Sequence, residues 1–435
     1  MIYVRFVHFA ATILVAGIVM FAVVIAGPAL RSGAAQAGMA ATLRRRLTII
    51  AFLALAVAVG SGAAWLVLVA AGMSGEPVAA VFSGGVLWTV LTQTGFGRDW
   101  LWRALFAVAL AAALPWLLSP RPGGSRWVSF AACVLAACFI GSLVWAGHAA
   151  GGLGAEAFVH PAADFLHLVA AAAWVGGLVP LALLLAAAGR DAASLAAARS
   201  ATLRFSILGI AAVATLLGTG IVNSWYLVGS IDAMVGTTYG RLVLVKIALF
   251  AGMVLFAAVN RLWLTPRLVE DAGGADSARR ALCRNAAIEA AAGLAIIAVV
   301  AVLGTLPPAS HAQHQHQHPA YGAVPADASF QHIHSDRGMA DITIEPGRAG
   351  PAQVTIQLWT EDFDPLAAKA VTLTLAAPGA ANQAITRAAV HAADGSWRVE
   401  DIELTEPGNW TVTVNADLGA AAPLVLQAPI AIEAK

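Results

Sequence analysis

The chain has 435 residues, of which 60% are hydrophobic and only 11% charged. A soluble domain carries roughly 25% charged residues, so this composition excludes a wholly water-soluble protein and puts most of the chain in a bilayer. The formal net charge of +1 hides two bodies: residues 331–435 hold six Lys/Arg against thirteen Asp/Glu, while the preceding 330 hold nineteen against eleven.

Apolar runs of about 20 residues, the length that spans a hydrocarbon core, occur near 3–27, 47–71, 100–118 and 127–147. A second set lies near 163–187, 205–229, 242–260 and 286–306. These runs predict eight transmembrane helices. A ninth run, Val78 to Thr94, is short and broken by Gly84-Gly85. Arginine placement decides whether it spans. With eight crossings and the N-terminus outside, fourteen arginines fall in inner loops and three (Arg5, Arg98, Arg241) lie outside. A ninth crossing would leave six inside against eleven outside. The positive-inside rule therefore predicts that 78–94 lies on or dips into the outer face. The first run has no basic segment ahead of a short apolar core, so it reads as a retained helix rather than a cleaved signal.

The membrane part contains itself twice. Phe6-Val7-His8-Phe9 with Gly17 recurs 159 residues later as Phe165-Leu166-His167-Leu168 with Gly176. Ala41-Thr42-Leu43-Arg44 recurs as Ala201-Thr202-Leu203-Arg204, and Trp65 falls on Trp225, both at a spacing of 160. Phe96-Gly97-Arg98 with Arg103 recurs as Tyr239-Gly240-Arg241 with Lys246, 143 residues on. The expected membrane domain, residues 1–306, thus has two four-helix halves, about 1–150 and 160–306. Four crossings are an even number, so the halves insert in the same direction as parallel repeats.

Residues 307–330 read as a His-rich linker, opened by Pro307-Pro308 and carrying His311, His314, His316 and His318. Beyond it, residues 331–435 alternate with the period of two expected of strands, as in Val371-Thr-Leu-Thr-Leu375 and Trp410-Thr-Val-Thr-Val414. Turn signals divide this region into about seven strands, the spacing of an all-β Ig-like sandwich. With eight crossings it lies on the outer, periplasmic side, together with the N-terminus.

Under this topology none of the eleven histidines is cytoplasmic. Neutral imidazole is the commonest metal-ligating side chain and suits copper, zinc and nickel. An ionisable residue inside lipid is a functional-site hypothesis by default, and the repeat supplies two, His8 and His167, expected to face one another across a pseudo-two-fold axis. The candidate metal ligands are His8, His167 and His148, with His160 a fourth. Asp164, three residues before His167, is placed to hold the imidazole tautomer from the second shell. Met1, His311, His314, His316, His318, His332 and His334 are accessory metal candidates. Arg103 and Lys246 read as cations snorkelling to the outer interface, and Asn223, Asn260 and Glu289 as bridges between neighbouring helices. The three cysteines (Cys133, Cys138, Cys283) form no C-x-x-C motif and suggest no disulfide framework. There is no Walker motif, no C-x-x-C-H haem attachment site and no nucleophile elbow, so an ATP-driven pump and a serine hydrolase are not indicated.

The second half carries Arg204-Phe205-Ser206, Gly218-Thr219-Gly220 with Asn223, Tyr239-Gly240-Arg241 with Lys246, and Asn260-Arg261. With the His167 to Gly177 helix and the Gly147-His148 helix end, these residues resemble the copper resistance protein D (CopD) membrane domain. The C-terminal region is similar to the small β-sandwich of the YtkA/FixH type. The resemblance implies copper handling, not catalysis, at the bacterial inner membrane, with a copper ion, Cu(I) or Cu(II), as cargo taken up from the periplasm. The lipid bilayer and a periplasmic copper chaperone are the other expected partners, and nothing marks nucleic-acid binding. Two rival functions fit the same histidines. One is a membrane electron carrier with haem b held between His8 and His167. The other is a copper-delivery factor for oxidase assembly that transports nothing.

Overall fold

The computed structural model describes residues 1–30, 37–74, 77–82, 85–117, 126–146, 156–189, 191–269, 272–306, 308–310, 325, 327–335, 338–360, 365–377, 380–419 and 423–433. The chain forms two bodies, residues 1–313 and 314–435.

The first body is helical. Its elements are α1 (Ile2–Ala29), α2 (Ala37–Ser74), α3 (Val86–Gln93), α4 (Gly95–Leu117) and α5 (Arg126–Gly141). The second half follows as α6 (Glu156–Ala187), α7 (Ala192–Leu227), α8 (Ile231–Gly236), α9 (Thr238–Val259) and α10 (Ala272–Leu303). Among the described residues, seven helices are long and apolar enough to cross a membrane: α1, α2, α5, α6, α7, α9 and α10. The remaining predicted run lies in α4, a 23-residue helix whose first turns carry Arg98, Asp99 and Arg103. Helix starts follow from capping. Asp191 accepts from the Ser194 N–H (2.9 Å) at the start of α7, and Thr237 accepts from the Gly240 N–H (3.0 Å) at α9. The 78–94 run supplies only a short 3₁₀ turn at Ala80–Phe82 and the eight-residue α3. That helix is about 12 Å long and too short to cross. It packs Val90, with Val81, against Ala70 at the end of α2.

The two halves meet along α1 and α6. A Cβ built on Gly17 would collide with the backbone of Gly176, and one on Gly176 would collide with the carbonyl of Ile13. Helices this close exclude side chains at the crossing, which is why both positions are glycine. Gly17 and Gly176 are also repeat partners at the 159-residue spacing, so the halves are related about this contact. Phe21, Ile25, Trp174, Leu178 and Leu184, all nearly fully buried, fill the space around it.

The second body is a β-sandwich of a five-stranded sheet, order β1-β2-β3-β7-β6, and a four-stranded sheet, order β5-β4-β8-β9. Strands β1 (Ser329–Ser335), β2 (Gly338–Glu345), β3 (Gly350–Trp359), β4 (Ala370–Ala377) and β5 (Ala380–Ala388) come first. They are followed by β6 (Val390–His391), β7 (Trp397–Leu404), β8 (Gly408–Asp417) and β9 (Leu424–Ile432). All pairings between named strands are antiparallel. Alternate residues point inward, so Val371, Leu373 and Leu375 of one sheet meet Ile342, Val354 and Ile356 of the other in one core. Among the described residues there are nine strands, against the roughly seven that turn spacing predicts. The histidines flanking Ile333 disguise the apolar period of β1, and β6 is only two residues long.

Candidate metal-binding face

His8 lies on α1 and is almost fully buried at 2% exposure. Arg103 of α4 donates from Nη2 to His8 Nε2 at 2.6 Å, and from Nη1 to Ser142 Oγ at 2.8 Å. A guanidinium only donates, so Nε2 is the acceptor and the proton sits on Nδ1. Nδ1–H then donates to the Ala58 carbonyl (2.9 Å), with Ser61 Oγ at 3.2 Å. Both ring nitrogens are therefore engaged, and Trp65 and Trp100 pack on the ring at centroid distances of 5.6 and 5.4 Å. Arg103 is itself only 2% exposed, so it does not snorkel as expected. Asp99 Oδ2, Trp100 Nε1 and Arg103 Nε are buried without a hydrogen-bond partner beside it.

The second half repeats the plan with different chemistry. His167 Nδ1 lies 2.9 Å from Thr219 Oγ1, whose hydroxyl proton is donated to the Thr215 carbonyl at 2.7 Å. Thr219 must therefore accept, Nδ1 carries the proton, and Nε2 keeps its lone pair. The histidine-to-hydroxyl separations, 53 residues for Ser61 and 52 for Thr219, are nearly the same in the two halves. Lys246 stands in the second half where Arg103 stands in the first, and its charge reaches both His167 and Asp164.

Two faces of α6 and α7 oppose each other here. His160, Asp164 and His167 recur at i, i+4 and i+7 on α6, which puts them on one stripe. Tyr226, Asn223 and Thr219 recur with the same spacing, reversed, on the antiparallel α7. Each rung is matched: His160 stacks on Tyr226 (5.1 Å between ring centroids, 20° between planes), and Asn223 Nδ2 donates to Asp164 Oδ1 (2.5 Å). The bond between His167 and Thr219 is the third rung. Two atoms on this ladder, His160 Nε2 and Asn223 Oδ1, are buried without a hydrogen-bond partner.

The repeat explains why the halves differ. At the 159-residue spacing Met1 corresponds to His160, Arg5 to Asp164 and His8 to His167. Arg5 donates to the Gly304 carbonyl (2.6 Å) and lies 5.0 Å over the Trp65 ring. The first half thus places two guanidinium ions around its histidine. The second places one carboxylate and one ammonium.

The twin histidines do not face one another. His8 precedes Gly17 by nine residues and His167 precedes Gly176 by nine, and nine residues at 100° each end half a turn away. Since the glycines form the α1–α6 contact, each histidine points away from it into its own half. The same geometry does not offer the pair as axial ligands of one haem. Among the described residues no three His, Cys, Asp or Glu side chains stand close enough to share one ion.

His148, His311, His314, His316 and His318 lie outside the described residues. Met1 is exposed at the N-cap of α1. His332 stands on β1, where its Nδ1 donates to Asp341 Oδ1 (2.6 Å), while Trp359 Nε1 donates to Asp341 Oδ2 (2.9 Å). His334 occupies the register position opposite Met339. Asn223 bridges neighbouring helices as the sequence suggests, whereas sequence reasoning missed Thr219 and Tyr226 as partners, although the i, i+4, i+7 spacing of the three on α7 mirrors that of α6.

Two related helical halves, one of which carries a ladder of facing nitrogen- and oxygen-bearing side chains, define a polytopic membrane protein. Residues 199–303 match the family model for copper resistance protein D, and residues 1–159 match the copper resistance protein D-like N-terminal domain. Copper resistance protein D of Pseudomonas syringae pv. tomato is 31% identical over 311 residues, 70% of this chain and 96% of that protein. Inner membrane protein YebZ of Escherichia coli is 32% identical over 314 residues, covering 97% of its length. Copper transport protein CutJ of Bacillus subtilis is 27% identical over 349 residues, 59% of its length. The chain belongs to the copper resistance protein D family.

Proposed function

We propose that this protein takes up copper across the inner membrane from the periplasmic side, and that the ion enters along the α6–α7 ladder of the second half. The names of its relatives, a copper resistance protein, a copper transport protein and an inner membrane protein, support the cargo and the membrane. The arginine distribution supports eight crossings with both termini outside. The observation that carries the site is the pair of partnerless buried atoms, His160 Nε2 and Asn223 Oδ1, on adjacent rungs. Buried polar atoms ordinarily find partners; the Asn223 oxygen offers a lone pair to a copper ion, and His160 Nε2 offers one with its ring proton on Nδ1. His167 Nε2 is the third such atom. Asp164 supplies the negative charge that a cation needs in lipid, and its bond from Asn223 fixes where that charge sits. In the first half Arg103 fills the lone pair of His8, so copper would have to displace a guanidinium to bind there. His8 serves the fold, and the second half serves the metal.

The ladder is a series of ligands rather than a closed cage, which suits an ion that must leave again. The test is copper uptake into vesicles holding the full chain. Asp164→Asn and His167→Ala should each reduce uptake about 10- to 100-fold, the range found when a group supporting a metal site is lost. His8→Ala should retain it. If wild-type vesicles take up no more copper than empty ones, transport is wrong and delivery to a partner becomes the better account.

A further inference from the structure

The ladder face does not stop at His167. His160, His167, Trp174 and Leu181 recur every seven residues on α6, and the last two line a cavity of about 390 Å³ between α6, α7, α9 and α10. Trp174 lies two helical turns, about 10 Å, beyond His167. The cavity is almost wholly apolar, and Glu289 of α10 and Asn260 are among the few polar residues that line it. Glu289 is 2% exposed. Asn260 of α9 donates from Nδ2 to Glu289 Oε1 (2.6 Å), and Asn285 donates from Nδ2 to Asn260 Oδ1 (2.8 Å). Asn260 also begins a π-helical turn, Asn260–Leu264, whose widened ring is closed by Thr265 donating to the Asn260 carbonyl through N–H (2.9 Å) and Oγ1 (2.6 Å). Such turns inside helices concentrate at functional sites.

Among the described residues Glu289 is bonded by one neutral amide, that of Asn260, and no cation forms an ion pair with it. The charged and titratable groups around it are few. Arg261 lines the same cavity but donates to Ser206 Oγ (2.7 Å). On α10, Asp276 pairs with Arg279 at 2.7 Å and Arg280 at 3.6 Å, Cys283 donates to the Ala182 carbonyl, and Arg284 is exposed. On α7 Arg204 is exposed, and α6 contributes no titratable side chain between Trp174 and Leu185. A lone carboxylate in such surroundings requires its charge to be neutralised, by a proton or by a cation. The oxygen-rich donor set is too hard to hold copper firmly, which makes it suited to brief contact.

Resting on the uptake reading above, we infer that Glu289 is a proton-carrying site at the inner end of the copper path, and that it exchanges its proton for the descending cation. The Glu289 O–H bond breaks as copper arrives, the carboxylate pairs with the ion, and the proton leaves on the arginine-rich side past Arg261. When copper departs, a proton arriving from the outer side along the ladder returns to the carboxylate, so that one proton crosses inward with each copper ion. The ladder gives the metal an entrance, and Glu289 gives it a charge-balanced way down.

The test uses the full chain in vesicles with a copper gradient and a pH indicator, comparing wild type with Glu289→Gln. The substitution keeps an oxygen to accept from Asn260 and should leave thermal stability unchanged. Wild type should move protons with copper, and Glu289→Gln should lose that proton signal. Infrared spectra of the same proteins should show a protonated-carboxyl band in wild type that Glu289→Gln lacks. Copper entry with an unchanged proton signal in Glu289→Gln, or an identical carboxyl band in both proteins, overturns this inference and leaves uptake standing. Absence of copper entry in wild type overturns the uptake reading, and the coupling with it.

Discussion

Replacing Gly17 with alanine should separate the two halves of the membrane body. The added Cβ would meet the backbone of Gly176 and come within 2.6 Å of the Ala172 carbonyl, and those atoms belong to a helix that cannot rotate away. Overpacking of this kind costs about 1–3 kcal/mol. The reverse holds at Gly60 of α2 and Gly252 of α9, where nothing lies within 4 Å of an added Cβ. Alanine there removes backbone freedom without a clash and should stabilise by roughly 0.5–1 kcal/mol. Thermal unfolding in detergent, followed by tryptophan fluorescence, would rank Gly17→Ala below wild type and the two controls at or above it. Gly176→Ala should match Gly17→Ala, and the double variant should lose less than the sum because both act on one contact. If Gly17→Ala melts with the controls, the α1–α6 crossing is not where the halves meet, and the histidines need not point apart.

Other consequences are separable. Arg103→Met removes donors from His8 Nε2 and Ser142 Oγ, and should destabilise by about 1–3 kcal/mol for each buried acceptor left unmet, read from the same melting curves. Asp191→Ala removes the N-cap of α7 and should lower the melting temperature measured in those curves. In the sandwich, the side-chain and backbone bonds from Ser396, with Arg398 beside them, hold the Asp394 carboxyl at about 2, below its ordinary 3.8. A lowered folded value means this contribution is present above 3.8 and disappears as pH falls toward about 2. Asp394→Asn should therefore flatten acid unfolding of the β body in that window, measured by circular dichroism. An unchanged acid transition would show that the Ser396 bonds do not set it.

The helical architecture was legible because long apolar runs have few other uses, and the 159-residue repeat located the halves. What the repeat could not reveal was direction. Two histidines at equivalent positions suggest a shared site, but only the close crossing at Gly17 and Gly176 turns them away from each other. The role of Arg103 was hidden for a similar reason, since a cation near a helix end has an adequate surface explanation until the helix opposite it is known. The ladder was half visible. His160, Asp164 and His167 share a stripe by spacing alone, whereas Tyr226, Asn223 and Thr219 gain meaning only from the antiparallel pairing of α6 with α7. Glu289 and Asn260 were readable as a bridge between helices, and they are one. The cavity beside them depends on how four helices diverge, which no single stretch of sequence encodes. In the sandwich, strand periods were clear wherever turns were marked, and failed at β1, where histidines alternate with the core residue Ile333.

The central claim is that copper travels in the second half. Anomalous scattering from copper in crystals of the full chain tests it directly. The account predicts density between α6 and α7, within ligand distance of His160 Nε2, Asn223 Oδ1 or His167 Nε2, with Arg103 still bonded to His8. Density on His8, with Arg103 displaced, would contradict it.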